Sequence, residues 1–174
     1  MQKILSSFLL FLCFIAGHFS ASAQLGSTPK REFRGTWIQC INGQFQGLSP
    51  QQMQQRLTHQ LNICQAAGIN AVMFQVRGEA DALYSSLYEP WSRFLTGTQG
   101  KDPGWDPLAW MVKECHKRNM EIHAWINPFR AKTKGTSVLA ANHPIKLHPD
   151  RFFEYDGLYI FDPGLEVNHR YICM

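Results

Sequence analysis

Between Met73 and Gly100 the chain passes from an apolar run into a stretch dense in reactive and hydrogen-bonding groups. Arg77, Glu79, Asp81, Tyr84, Tyr88, Glu89, Trp91 and Arg93 all fall within it. Sugars present apolar C–H faces and rings of hydroxyls, so aromatic platforms combined with fixed donors and acceptors suit them. Trp37, Tyr84, Trp91 and Trp125 could supply the platforms, while Gln75, Arg77, Asn127 and Arg130 could hold hydroxyls or orient a carboxylate. Glycosidic bonds are cut by two carboxylates about 5 to 9.5 Å apart. Glu79, Asp81 and Glu89 are the acids on this side, and Glu79 and Asp81 are the auxiliary acid candidates.

Each group also has a plainer use. Arg77 suits a structural pair with Glu79 or Glu89 as well as a substrate contact, because ion-pair networks are common. Glu79 and Asp81 read more readily as solvated loop charges than as catalysts. His123 reads as a hydrogen-bonded interior histidine, since no second ligand stands at a metal-site spacing. Neither a metal nor a cofactor is expected. Trp110 and Met111 suit packing, Trp105 and Phe94 suit pinning a loop, and Lys132 with Lys134 suits a solvated charge pair.

These side chains need elements to position them. Phe33–Ile38 reads as a strand. Ser49-Pro50-Gln51-Gln52 carries a capping-box helix start, and Met53, Leu57, Leu61 and Cys64 form one apolar stripe behind it. Gly68 closes that helix, and the apolar run Ile69–Val76 follows as a strand buried on both faces. Asp106-Pro107 starts a second helix with Leu108, Met111, Val112 and Cys115 inside, which Asn119 can end. Met120–Ile126 is a third strand. Residues 127–150 look irregular, 152–161 resembles a hairpin turning at Asp156-Gly157, and Asp162-Pro163 looks like another helix start.

The order strand, helix, strand, helix, strand with nearly continuous apolar strands predicts right-handed βαβ units in a parallel sheet. Strand alternation sets Val72, Phe74 and Val76 against helices and turns Ala71, Met73, Gln75 and Arg77 the other way. The third strand likewise opposes Ile122, Ala124 and Ile126 to His123, Trp125 and Asn127. All three strands thus aim polar or aromatic groups one way at their C-terminal ends, where barrel enzymes build active sites. The expected fold is α/β, the N-terminal part of a (β/α)8 TIM-like barrel with about three barrel strands. Closure takes about 250 residues, so the 174 residues are expected to be an N-terminal fragment.

At the start, Lys3, the apolar run Ile4–Gly17 and Ala21-Ser22-Ala23 read as a signal peptide over residues 1–23. Leu12 is too bulky to precede a lipid-bearing Cys13, so export to the periplasm or beyond is expected over lipoprotein anchoring. The apolar run is shorter than the roughly 20 residues a membrane span needs, so the mature chain should carry no stable span. Residues 24–31 form a polar leader and residues 32–174 the domain. Cleavage leaves only a small basic surplus with mixed charges, no footprint for nucleic acid. Cys40, Cys64, Cys115 and Cys173 lack metal-like spacing and read as free thiols over bridges.

Several runs together resemble the glycosyl-hydrolase-like family ten domain of bacterial exported proteins. They are Arg31–Trp37, Gly68–Arg77, Asp81–Tyr84, the long run Tyr88–Gly100, His123–Arg130 and Asp162-Pro163-Gly164. The resemblance spans nearly all of the mature chain. It implies a (β/α)8 glycosidase fold and cleavage of a cell-wall, peptidoglycan-type, or other polysaccharide as partner and substrate. It assigns Trp37, Gln75, Arg77, Asn127 and Arg130 to the substrate site by position. In the family pattern a later strand ends in an Asp-Asp-Tyr type motif with the main catalytic acid. The 174 residues stop before it, so these residues alone are expected to be inactive. A carbohydrate-binding protein with an aromatic cleft and no turnover is the alternative.

Overall fold

The computed structural model describes residues 32–136 and 138–174, so the expected signal peptide and polar leader lie outside the described residues. Three strands run parallel in the order β1 (Gly35–Ile38), β2 (Ala71–Arg77), β3 (Glu121–Ile126). Helix α1 (Pro50–Ala66) links the first pair. A long loop with the short helix α2 (Arg93–Thr96), then α3 (Pro107–His116), links the second. This is the parallel βαβαβ arrangement of a (β/α)8-type barrel.

Local chemistry sets the boundaries. Ser49 accepts from the Gln52 amide while the Gln52 side chain accepts from the Ser49 amide, and Pro50 opens α1. Asp106 accepts from the Ala109 amide at 2.8 Å to start α3. Gly68 (φ 72°) and Asn119 (φ 54°) turn the chain out of the two helices in the left-handed region.

The core lies between one sheet face and the helices. Val72, Phe74 and Val76 pack with Met53, Leu57 and Leu61 of α1 and Met111 and Cys115 of α3. Each fully buried Leu or Phe contributes roughly 1.5–3 kcal/mol, so this cluster sets the pose of the strand ends. The strand register pairs Trp37 with Met73, Met73 with His123, and Gln75 with Trp125, which puts them on the opposite face. A register shift between Gln75 and Arg77 then breaks the simple alternation.

That opposite face is open, and it overturns the interior placement expected for His123. Its side chain is half exposed, 3.3 Å from a Glu121 carboxylate oxygen and edge-on to Phe33. All four described cysteines are free thiols, Cys40 and Cys115 buried and Cys173 exposed.

Residues 127–161 hold more order than their composition suggests. Strand β4 (Arg130–Lys132) pairs with β6 (Leu158–Phe161), which pairs antiparallel with β5 (Phe152–Tyr155). The expected hairpin turn is present, with Asp156 (φ 50°) and Gly157 (φ 77°) both left-handed. Lys132 and Lys134 find separate partners: Lys132 sits 4.9 Å from the Tyr159 ring centre, and Lys134 pairs with Asp156. Helix α4 (Pro144–Leu147) is short. Helix α5 (Glu166–Ile172) begins after Leu165, because Asp162 accepts from the Gly164 amide and makes a turn of its own.

Candidate functional site

The loops that follow β1, β2 and β3 surround one cleft of about 430 Å³. Cys40, Ile41, Asn42, Gly43, Phe45 and Gln46 come from the first loop, Glu79, Arg93, Phe94 and Gly97 from the second, and Arg130 of β4 with Thr133 from the segment after β3. It therefore opens at the C-terminal ends of the parallel strands.

Glu79 lines it and is only 2% exposed. Arg93 donates to it through Nε (3.0 Å) and Nη2 (3.3 Å), Thr136 Oγ1 donates at 2.6 Å, and Thr133 Oγ1 donates as well. Burial works to raise the Glu79 pKa, but the hydrogen bonds from Arg93, Thr133 and Thr136 prevail and hold it below the usual carboxylate value. Asp81, two residues on, goes the other way. It is fully buried, accepts from the Glu79 amide (3.1 Å) and Gln99 Nε2 (3.3 Å), and burial pushes its pKa up to about 6. Both acids are therefore interior groups, which corrects the expectation of solvated loop charges. The solvated reading failed because their side-chain partners Arg93, Gln99 and Thr136 lie 14 to 57 residues further along the chain.

Ala80 between them holds φ 50° with no exposed surface. A buried non-glycine residue in the left-handed region costs of order 1–3 kcal/mol and persists only where its surroundings over-determine it. Here His143 Nε2 donates to the Glu79 carbonyl at 3.0 Å. His143 Nδ1 accepts from the Ile145 amide at 3.2 Å, which assigns the proton to Nε2. Burial lowers the His143 pKa, so the ring stays neutral.

Arg77 faces a second recess of about 250 Å³ with Tyr84, Glu89 and Tyr171. Its Nε and Nη2 bind Glu89 (2.8 and 2.6 Å), and Nη1 donates to the carbonyls of Asn127 (2.6 Å) and Pro128 (3.1 Å). Four of the five N–H groups a guanidinium offers are thus engaged within the protein. Tyr171 donates its hydroxyl to Glu89 at 3.2 Å, and the Phe161 ring lies 5.7 Å from the guanidinium carbon.

The other predicted residues divide between the sheet face and the core. Trp37, 63% exposed, stands edge-on to Trp125 at 5.1 Å on the open face. Trp125 Nε1 donates to Asn127 Oδ1 (3.2 Å), and Asn127 donates in turn to the Gly78 carbonyl. Gln75 is buried and accepts from the Cys40 amide at 3.1 Å, tying the end of β1 to β2. Trp91 is half-buried against the main core, while Arg130 alone of the predicted binders lines the larger cleft beside Glu79.

Sequence reasoning passed over Arg93, Thr133, Thr136 and His143. Arg93 lies inside the run Tyr88–Gly100, which was a usable signal; the other three reach Glu79 across 54 to 64 residues, and no local spacing encodes that. Phe94, expected to pin the loop, stacks under Arg93 at 4.3 Å. Among the described residues no group of three or more His, Cys, Asp or Glu is placed to hold a metal ion, and no helix is long and apolar enough to cross a membrane.

A parallel βαβαβ sheet with a polar cleft at its C-terminal strand ends is the architecture of barrel-type enzymes. The crystal structure of the noncanonic maltogenic alpha-amylase AmyB from Thermotoga neapolitana shares this fold. Its TM-score is 0.50 at 17% identity, over 80% of this chain and 34% of that one. Residues 32–162 match the glycosyl hydrolase-like 10 family, and the chain belongs to it. It is 40% identical over 177 residues to glycosyl hydrolase YngK of Bacillus subtilis, covering 98% of this chain and 35% of YngK. It is 37% identical over 122 residues to glycosyl hydrolase DigH of Escherichia coli K12, covering 64% of this chain and 28% of DigH. The chain thus spans about a third of the length of these curated relatives.

Proposed function

We propose that this chain forms the glycan-positioning part of an exported glycoside hydrolase acting on a cell-wall, peptidoglycan-type polysaccharide. In this reading one carboxyl group protonates the glycosidic oxygen while a second attacks the sugar or activates water. The observation that carries it is the cleft at the strand ends, lined by three separate loops and by the buried, ionised Glu79. Arg93 and Arg130 orient the sugar beside that carboxylate, and Trp37 and Trp125 offer an aromatic edge on the adjoining face. Proton transfer itself is assigned to the acid of a further barrel strand, as in the family pattern. Glu79 then serves as an auxiliary, electrostatic group.

One observation favours a non-catalytic carbohydrate-binding protein instead. Glu79 is saturated with donors and Asp81 is sealed from the cleft, so neither has the exposed, protonated form that a general acid needs. The two readings separate on incubation of the chain, and of a polypeptide extended to the length of its relatives, with purified peptidoglycan glycans. Mass spectrometry should find new reducing ends with the longer protein. Binding by both without new ends would favour the binding protein, and cell fractionation tests export.

A further inference from the structure

We infer that the larger cleft contains an anion-recognition subsite in which Arg130, seconded by Arg93, takes a carboxylate carried by a sugar residue. This rests on the glycan reading above and gives it a chemical class. Two guanidinium groups and one carboxylate line the cleft, and that carboxylate is already committed. Arg93 uses Nε and Nη2 on Glu79 and rests on the Phe94 ring, leaving Nη1 free of any described acceptor. Among the described residues no hydrogen bond or ion pair engages the Arg130 guanidinium at all, so its planar fork of donors is available.

A partly buried guanidinium without an acceptor is costly, and an uncharged sugar hydroxyl satisfies it poorly. A carboxylate matches the fork with two parallel hydrogen bonds. Competing acids nearby are accounted for. Glu79 is neutralised by Arg93, and Asp81 lies beneath, closed off by Gln99 and the Glu79 amide. Phe45 and Phe94 add apolar wall for the C–H face of the same sugar.

Sugar carboxylates come as uronic acids or as lactyl ethers of the muramic type, and the test separates them. Affinity of the full chain should be measured calorimetrically for oligosaccharides of each kind, for their carboxamides, and for neutral N-acetylglucosamine oligomers. The wild type should bind one acidic oligosaccharide roughly 10-fold or more tightly than its carboxamide, with the margin shrinking at high salt. Arg130→Gln should erase that margin with the melting temperature unchanged, and Arg130→Lys should restore part of it. Equal affinity for acid and carboxamide in the wild type, or a margin that survives Arg130→Gln, overturns the subsite. Free glucuronate or lactate serves as a glycan-independent probe. Arg130-dependent binding of either, with no oligosaccharide bound, keeps the subsite and sinks the glycan reading. Absence of all binding sinks both.

Discussion

Glu79 and Asp81 show how two carboxyl groups two residues apart acquire opposite electrostatics. Donors surround Glu79, so its contribution to stability is present above the ordinary Glu value and is lost as pH falls through its lowered folded value. Asp81 is buried with weaker compensation, so its favourable contribution exists below its ordinary value of 3.8 and disappears as pH rises to about 6. Linkage over that interval amounts to about 3 kcal/mol. Asp81→Asn removes the second dependence and leaves the first. Urea unfolding between pH 4 and 7 should show the variant gaining about 3 kcal/mol relative to wild type across that range. Parallel pH profiles for the two proteins would show that Asp81 does not titrate there. The sequence displayed the pair but not its polarity, because desolvation and donor count depend on residues 90 to 143.

At the scale of elements, the segment after β3 closes over the acidic turn. Thr133 and Thr136 donate to Glu79, and His143 joins the Glu79 carbonyl to the amide that opens α4. The link requires a neutral imidazole, because a second ring proton abolishes the Nδ1 acceptor. Burial lowers the His143 pKa, so its stabilising contribution is intact above the ordinary 6.5 and is lost as pH falls through the lowered value. Hydrogen-exchange protection of the Ile145 amide should therefore hold at neutral pH and fail in the acid range before that of β2 amides. Unchanged protection down to pH 4 would remove His143 as the latch. The sequence placed this segment outside regular structure, since β4 is three residues long and gains its partners only from β6.

Across the whole molecule, Arg77 joins the end of β2, the loop carrying Glu89, the carbonyls after β3 and, through Glu89, Tyr171 of α5. With Glu89 8% exposed, removing the cation leaves a buried charge without its counter-ion. Arg77→Ala should cost about 3–5 kcal/mol, measured by urea unfolding. The double variant Arg77→Ala, Glu89→Gln should recover part of that loss. Additive costs would mean that the pair is uncoupled.

What the sequence alone determined follows from short-range rules. Capping residues at Ser49 and Asp106, glycine or asparagine at the helix ends, apolar β2 and the Asp156-Gly157 turn each act within a few residues, so the βαβαβ order and the hairpin were legible. The side of the sheet that bears Trp37, Gln75 and Trp125 was legible too, because alternation is a property of any strand. Tertiary structure decided the rest. It placed Arg130 in the cleft that Glu79 lines, engaged Arg77 with Glu89, sealed Asp81 and brought in Arg93, Thr133, Thr136 and His143. Ionisation and hydrogen bonding at the site are set by neighbours distant in the chain, and only packing of the helices against β2 brings them together.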